Sequence, residues 1–116
     1  VERDGGSDYG YIEPLVEVRE TGKEIEVYVD LPFVEDGRDV GVEVLGDELE
    51  ITATMRRSVR WERWGTYQRF QAFSQYRTRI RLPAEVDPQG AKAVLRNGVL
   101  RVVLPKKTSK VRVSID

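Results

Sequence analysis

In the stretch EIEVYVDL every second residue, Ile25, Val27, Val29 and Leu31, is apolar, with Glu24, Glu26, Tyr28 and Asp30 between them. Successive side chains of a strand leave opposite faces of a sheet, so a period of two builds one face for a core and one for water. A helix would need apolar residues three and four apart. The same alternation returns at Val16 and Val18, at Val40, Val42 and Val44, at Leu49, Ile51 and Ala53, and at Tyr76, Thr78, Ile80 and Leu82. No helical face appears anywhere. Thr21 to Lys23 (TGK) and Gly46 to Glu48 (GDE) read as turns, Pro83 stops a strand, and structure is expected to begin near Pro14. In KAVLRNGVLRVVLP, Asn97 and Gly98 form the strongest local signal, because a two-residue hairpin turn needs positive φ at residues that tolerate it. The expected fold is all-β, an immunoglobulin-like β-sandwich of seven to nine short antiparallel strands.

A length of 116 residues suits one domain. Cysteine and histidine are both absent, which removes disulfides, thiolate and Ser-His-Asp chemistry and the usual zinc sites. Glu24, Glu26, Glu43, Asp47, Glu48 and Glu50 sit where solvation explains them, and Asp36, Asp39 and Asp47 lack the spacing of a calcium loop. An enzyme is therefore not expected, and no cofactor or metal is called for. The formal net charge of −1 supplies no basic field for nucleic acid or an anionic membrane. No apolar run reaches the roughly 18 residues of a membrane span, no signal peptide is visible, and a cysteine-free chain suits the reduced cytoplasm, the expected location. The chain starts at Val1, not Met, which suggests processing or a lost natural start.

Two stretches break the pattern. Residues 58–75 (SVRWERWGTYQRFQAFSQ) are aromatic and arginine-rich, with little strict alternation, and read as a long loop containing one or more short strands. The chain ends in KVRVSID, where Val111, Val113 and Ile115 alternate with polar residues as in a strand that has no partner.

These pieces, in this order, resemble the small heat-shock proteins, whose shared core is the α-crystallin domain, in their prokaryotic or archaeal form. VYVDLPFV resembles the family's Asp-Leu-Pro-Gly-Val strand end, with Phe33 in place of the glycine, and LEITATMRR its Leu-x-Ile-x-Ala/Gly segment. AVLRNGVLRVVLPK matches the Ala-x-x-x-Asn-Gly-Val-Leu hairpin at Ala93, Asn97, Gly98, Val99 and Leu100. VSID is similar to the Ile-x-Ile/Val tail motif, with Val113 and Ile115 as its apolar positions. One departure concerns an arginine that many members direct at the dimer contact: its place is taken by Thr78, between Arg77 and Arg79. Either the register slips by one residue or that ionic role is not kept.

The resemblance implies a flexible remnant at 1–13, an α-crystallin domain at 14–105 and a tail at 106–116. It implies an ATP-independent holdase that binds non-native client proteins and assembles from homodimers into higher homo-oligomers. Within 58–75 a strand would exchange between subunits, with Val59, Trp61, Glu62, Trp64, Tyr67, Arg77 and Arg79 at the dimer contact. The tail knobs Val113 and Ile115, with Val111 as a third, would dock in another dimer's groove, lined by Val40, Val42 and Val44 and by Ala91, Ala93 and Leu95. The linker could extend roughly 20 Å to reach it. Other readings of the same residues stand beside this one. The loop could fold back on its own domain, or its arginines and aromatics could form a nucleic-acid platform. The chain could be a p23-like adaptor for one folded partner, or a carbohydrate-binding module or small β-sandwich enzyme using Trp61 and Trp64.

Overall fold

The computed structural model describes residues 11–63, 66–107 and 113–116, with side chains at 11–56, 75–107 and 113–116. Its strands are β1 (Tyr11–Ile12), β2 (Val16–Glu20), β3 (Glu24–Asp30), β4 (Val40–Leu45), β5 (Glu48–Arg63), β6 (Thr66–Arg81), β7 (Lys92–Arg96) and β8 (Val99–Pro105). They form two four-stranded sheets, ordered β1-β6-β5-β4 and β2-β3-β8-β7. All neighbours are antiparallel except β1, which pairs in parallel with β6 at Gln75 and Tyr76. The chain is thus the expected all-β sandwich.

Alternation explains the core. Ile25, Val27 and Val29 from β3 and Val102 and Leu104 from β8 are fully buried, as are Leu49 and Ile51 from β5 in the opposite sheet. Burying each such side chain stabilises the fold by about 1.5–3 kcal/mol before chain entropy is counted. Two 3-10 turns complete the connections, Gly37–Asp39 and Pro88–Gly90. Each is capped by an aspartate, Asp36 or Asp87, whose side chain accepts from the backbone N–H two residues on.

Three details differ from the sequence reading. A strand already lies ahead of Pro14, at Tyr11 and Ile12, because these two residues find a ladder partner in β6. The β4–β5 turn is Gly46-Asp47, since Leu45 already pairs with Glu48, and Gly46 supplies the positive φ of 63°. Residues 58–63 and 66–75 do not run as a loop with short strands. Their backbone continues β5 and β6 as one ladder, in unbroken register from Glu48↔Arg81 to Arg63↔Thr66.

The same register answers the question raised by Thr78. Arg77, Thr78 and Arg79 lie opposite Thr52, Ile51 and Glu50 without a slip, which turns Thr78 inward, 5% exposed, and leaves both arginines outside. Among the described residues the Thr78 hydroxyl has no hydrogen-bond partner. Thr78→Val removes that buried polar group and is expected to stabilise the fold by about 1 kcal/mol. Thr78→Arg places an unpaired charge in the core and costs several kcal/mol. Thermal unfolding followed by circular dichroism checks both signs.

Candidate functional site

The edges of the sandwich carry the features that a single subunit leaves unsatisfied. β4 and β7 are the outer strands of their respective sheets, and a groove of about 300 Å³ lies between them. It is lined by Val42 and Val44, by Ala91, Lys92 and Ala93, and by Pro88 and Val102. Four of the six residues expected there are brought together. Val40 and Leu95 are not: both pack partly buried against the core, Val40 opposite Ala53 at the start of β4, and Leu95 beside a second groove nearer the Asn97-Gly98 turn. A period of two identifies a shared face but not where along it the sheets part. Pro88, Lys92 and Val102 were missed, although Val102 follows from the hairpin itself, which sets it opposite Ala93.

The tail residues 113–116 adopt no strand. Val113 is 75% and Ile115 92% exposed. Val111 lies outside the described residues.

The second feature is the β5–β6 ribbon. β4 accompanies β5 only as far as Ala53, and β1 touches β6 only at Gln75 and Tyr76. Beyond these points no third strand flanks the ribbon among the described residues, and ten residues of β5 (54–63) continue for about 30 Å. Backbone register sets Val59 opposite Phe70, Trp61 opposite Gln68 and Glu62 opposite Tyr67; Trp64 lies outside the described residues. At the base, ion pairs join β5 to β6 and one links the ribbon to the loop before β4. Arg77 and Arg79 both reach Glu50, at 3.2 and 3.6 Å, Arg77 also stands over the Tyr11 ring at 5.5 Å, and Arg56 meets Asp39 at 2.8 Å. The two arginines expected at a dimer contact thus have partners within the chain.

The Asn97-Gly98 turn does more than reverse the chain. Both residues have positive φ, 53° and 77°, and Arg96 pairs with Val99, the two-residue geometry expected. The Gly98 carbonyl accepts from Leu31 N–H at 2.7 Å, and a Cβ on Gly98 would stand 3.4 Å from the Leu31 carbonyl oxygen. Gly98→Ala therefore costs backbone strain at a positive φ, with the added Cβ in ordinary contact with the Leu31 carbonyl. A loss of about 1–2 kcal/mol is expected in denaturant unfolding.

Polar clusters elsewhere are surface networks. The Tyr28 hydroxyl donates to Glu26 at 2.9 Å and, ahead of the Arg101 contact at 3.1 Å, holds that carboxyl below the usual carboxylate range. Arg38 holds Asp36 at about 2 through a fork of hydrogen bonds. Solvent-exposed pairs of this kind contribute little to stability. Among the described residues no three acidic side chains converge as metal ligands, and no helix is long and apolar enough to cross a membrane.

Comparison with known proteins places this architecture. The sequence profile of the Hsp20/alpha crystallin family matches residues 17–116. Spore protein SP21 of Stigmatella aurantiaca is 35% identical over 94 residues, which cover 81% of this chain and 55% of the relative; the chain thus spans about half the length of that protein. Among solved structures, heat shock protein 16.0 from Schizosaccharomyces pombe superposes with a TM-score of 0.65 at 27% identity, covering 92% of this chain and 78% of that one. A small heat-shock protein from Xylella fastidiosa, described as having a distinct high order structure, gives 0.62 at 25% identity, with 89% and 94% covered.

Proposed function

The chain belongs to the Hsp20/alpha crystallin family, and we propose on that basis that it is an ATP-independent holdase, which binds partly unfolded proteins and keeps them from aggregating while it cycles between dimers and larger assemblies. The observation that carries this reading is the pairing of an exposed apolar tail with an open apolar groove in the same subunit. Val113 and Ile115 are two residues apart, as are Val42 and Val44 on one wall of the groove and Ala91 and Ala93 on the other. Extended residues at that spacing are about 6.7 Å apart, so the knobs and the sockets share one period. Docking by addition of a strand also satisfies the free backbone edges of β4 and β7.

The ribbon supports the dimer. A long two-stranded hairpin is marginal alone, and its open edges invite a third strand. β2 offers a free edge on the second sheet, and exchange of ribbons between two copies satisfies both. Such contacts are individually weak and collectively firm, which lets subunits separate and expose apolar surface when unfolded clients accumulate. The working site of such a protein is the cytoplasm.

The test is heat-induced aggregation of unrelated proteins without nucleotide. A holdase protects several of them. A p23-like adaptor, the second reading for this fold, protects none and binds one folded partner stoichiometrically.

A further inference from the structure

Phe33 is where the sequence departs from the small heat-shock pattern, and the structure gives that departure a physical cost. Val34 N–H donates to the Leu31 carbonyl at 3.1 Å, so Pro32 and Phe33 are the central pair of a tight turn. Phe33 stands at φ 69° in the position such turns give to glycine. A bulky residue in the left-handed region is strained, and this one is also 65% exposed, so it recovers little by burial in its own subunit.

The turn is nevertheless rigid. Leu31 is held by the Gly98 carbonyl, the Pro32 carbonyl accepts from the Tyr76 hydroxyl at 3.0 Å, and Val34 is buried in the core. Phe33 is therefore presented by a fixed frame. It borders a groove of about 610 Å³ whose apolar lining comes from Pro32, Phe33, Val34, Leu95 and Val99. That volume lies within the range of clefts that hold ligands, about 300–1,000 Å³. Two carboxylates, Asp30 and Glu35, also line it, and neither has a cationic partner among the described residues. An exposed aromatic on a rigid turn, beside unpaired negative charge, suits an apolar side chain flanked by cations.

We propose that this groove is a client-binding surface of the subunit, and that it selects extended segments in which a large apolar residue is flanked by Lys or Arg. The proposal rests on the holdase reading and assigns to it a location and a sequence preference. Segments with acidic flanks are repelled by Asp30 and Glu35, and the preference weakens as salt screens the charges.

Two labelled decapeptides test it, one with a central Phe-Leu pair between lysines and its twin between glutamates, each titrated against the whole chain by fluorescence anisotropy. The lysine peptide is expected to bind about tenfold tighter than the glutamate peptide. Phe33→Gly, which suits the turn and should not lower the melting temperature, is expected to weaken the lysine peptide about tenfold. The double variant Asp30→Lys, Glu35→Lys is expected to reverse the order of the two. Equal affinities for the twins, or a Phe33→Gly protein that binds as the parent does, overturns the proposal. So does a change in particle size on Phe33→Gly with peptide binding intact, since a second copy would then be the occupant. The same proteins are assayed for protection of heated clients. Failure of the parent to protect any client overturns the holdase reading itself, whereas protection without peptide selection overturns only the groove.

Discussion

Replacing Val113 and Ile115 together by glycine is expected to reduce a large particle to dimers in sedimentation velocity. Both side chains are exposed in the subunit, and on the proposed reading they gain burial in the groove of another copy. At about 1.5 kcal/mol or more for each apolar side chain buried, losing two costs about 3 kcal/mol per tail, more than a hundredfold in the equilibrium constant of each contact. An assembly held by many tails multiplies that loss. The fold should be indifferent, because residues 113–116 contribute nothing to the core, so the melting temperature of the dimer stays near that of the parent. A particle of unchanged size would rule out the tail as its linkage.

Shortening the ribbon is expected to have the second large effect. Because Arg57 pairs with Ala72, replacing residues 58–71 by Asn-Gly closes the hairpin in register with a favourable two-residue turn. The sandwich keeps its core residues, and the strand proposed to exchange is gone. The product should be a folded monomer, with the parent's far-ultraviolet signature of β-structure and no dimer at micromolar concentration. A variant that still sediments as a dimer would place the contact elsewhere on the sandwich.

The sandwich was legible because its residues obey two rules at once. Ile25, Val27 and Val29 alternate, are β-branched and are buried without exception, and Asn97-Gly98 fixes the register of the last hairpin so firmly that Ala93 must oppose Val102. The ribbon was hard to read for the opposite reason. Alternation is imposed by a core beneath one face, and beyond Ala53 β5 is accompanied among the described residues by β6 alone. β1 is two residues long, too short for any period, and is placed by pairing with β6 alone. The tail's alternation was visible in the sequence, yet residues 113–116 form no strand, since a strand needs a ladder partner.

The grooves divide in the same way. Val42, Val44, Ala91 and Ala93 were foreseeable as the facing rows of two edge strands, whereas Val40 and Leu95 share those rows and lie away from the opening. Phe33 carries no periodic signal at all. Its significance lies in one backbone angle, which composition does not encode and only the glycine usual at that place in the family hints at. Arg77 and Arg79 show the limit of reading charge from sequence, since Glu50, 27 residues away from Arg77 in the chain, is the partner of both.

The measurement that bears most directly on the whole account is light scattering from three unrelated heat-labile enzymes, each warmed with this chain in the absence of nucleotide. Suppression of scattering for all three, at ratios of about one dimer or a few per client, is the result predicted for a holdase. Undiminished scattering from every client, from a chain that is folded and assembled under the same conditions, would contradict it.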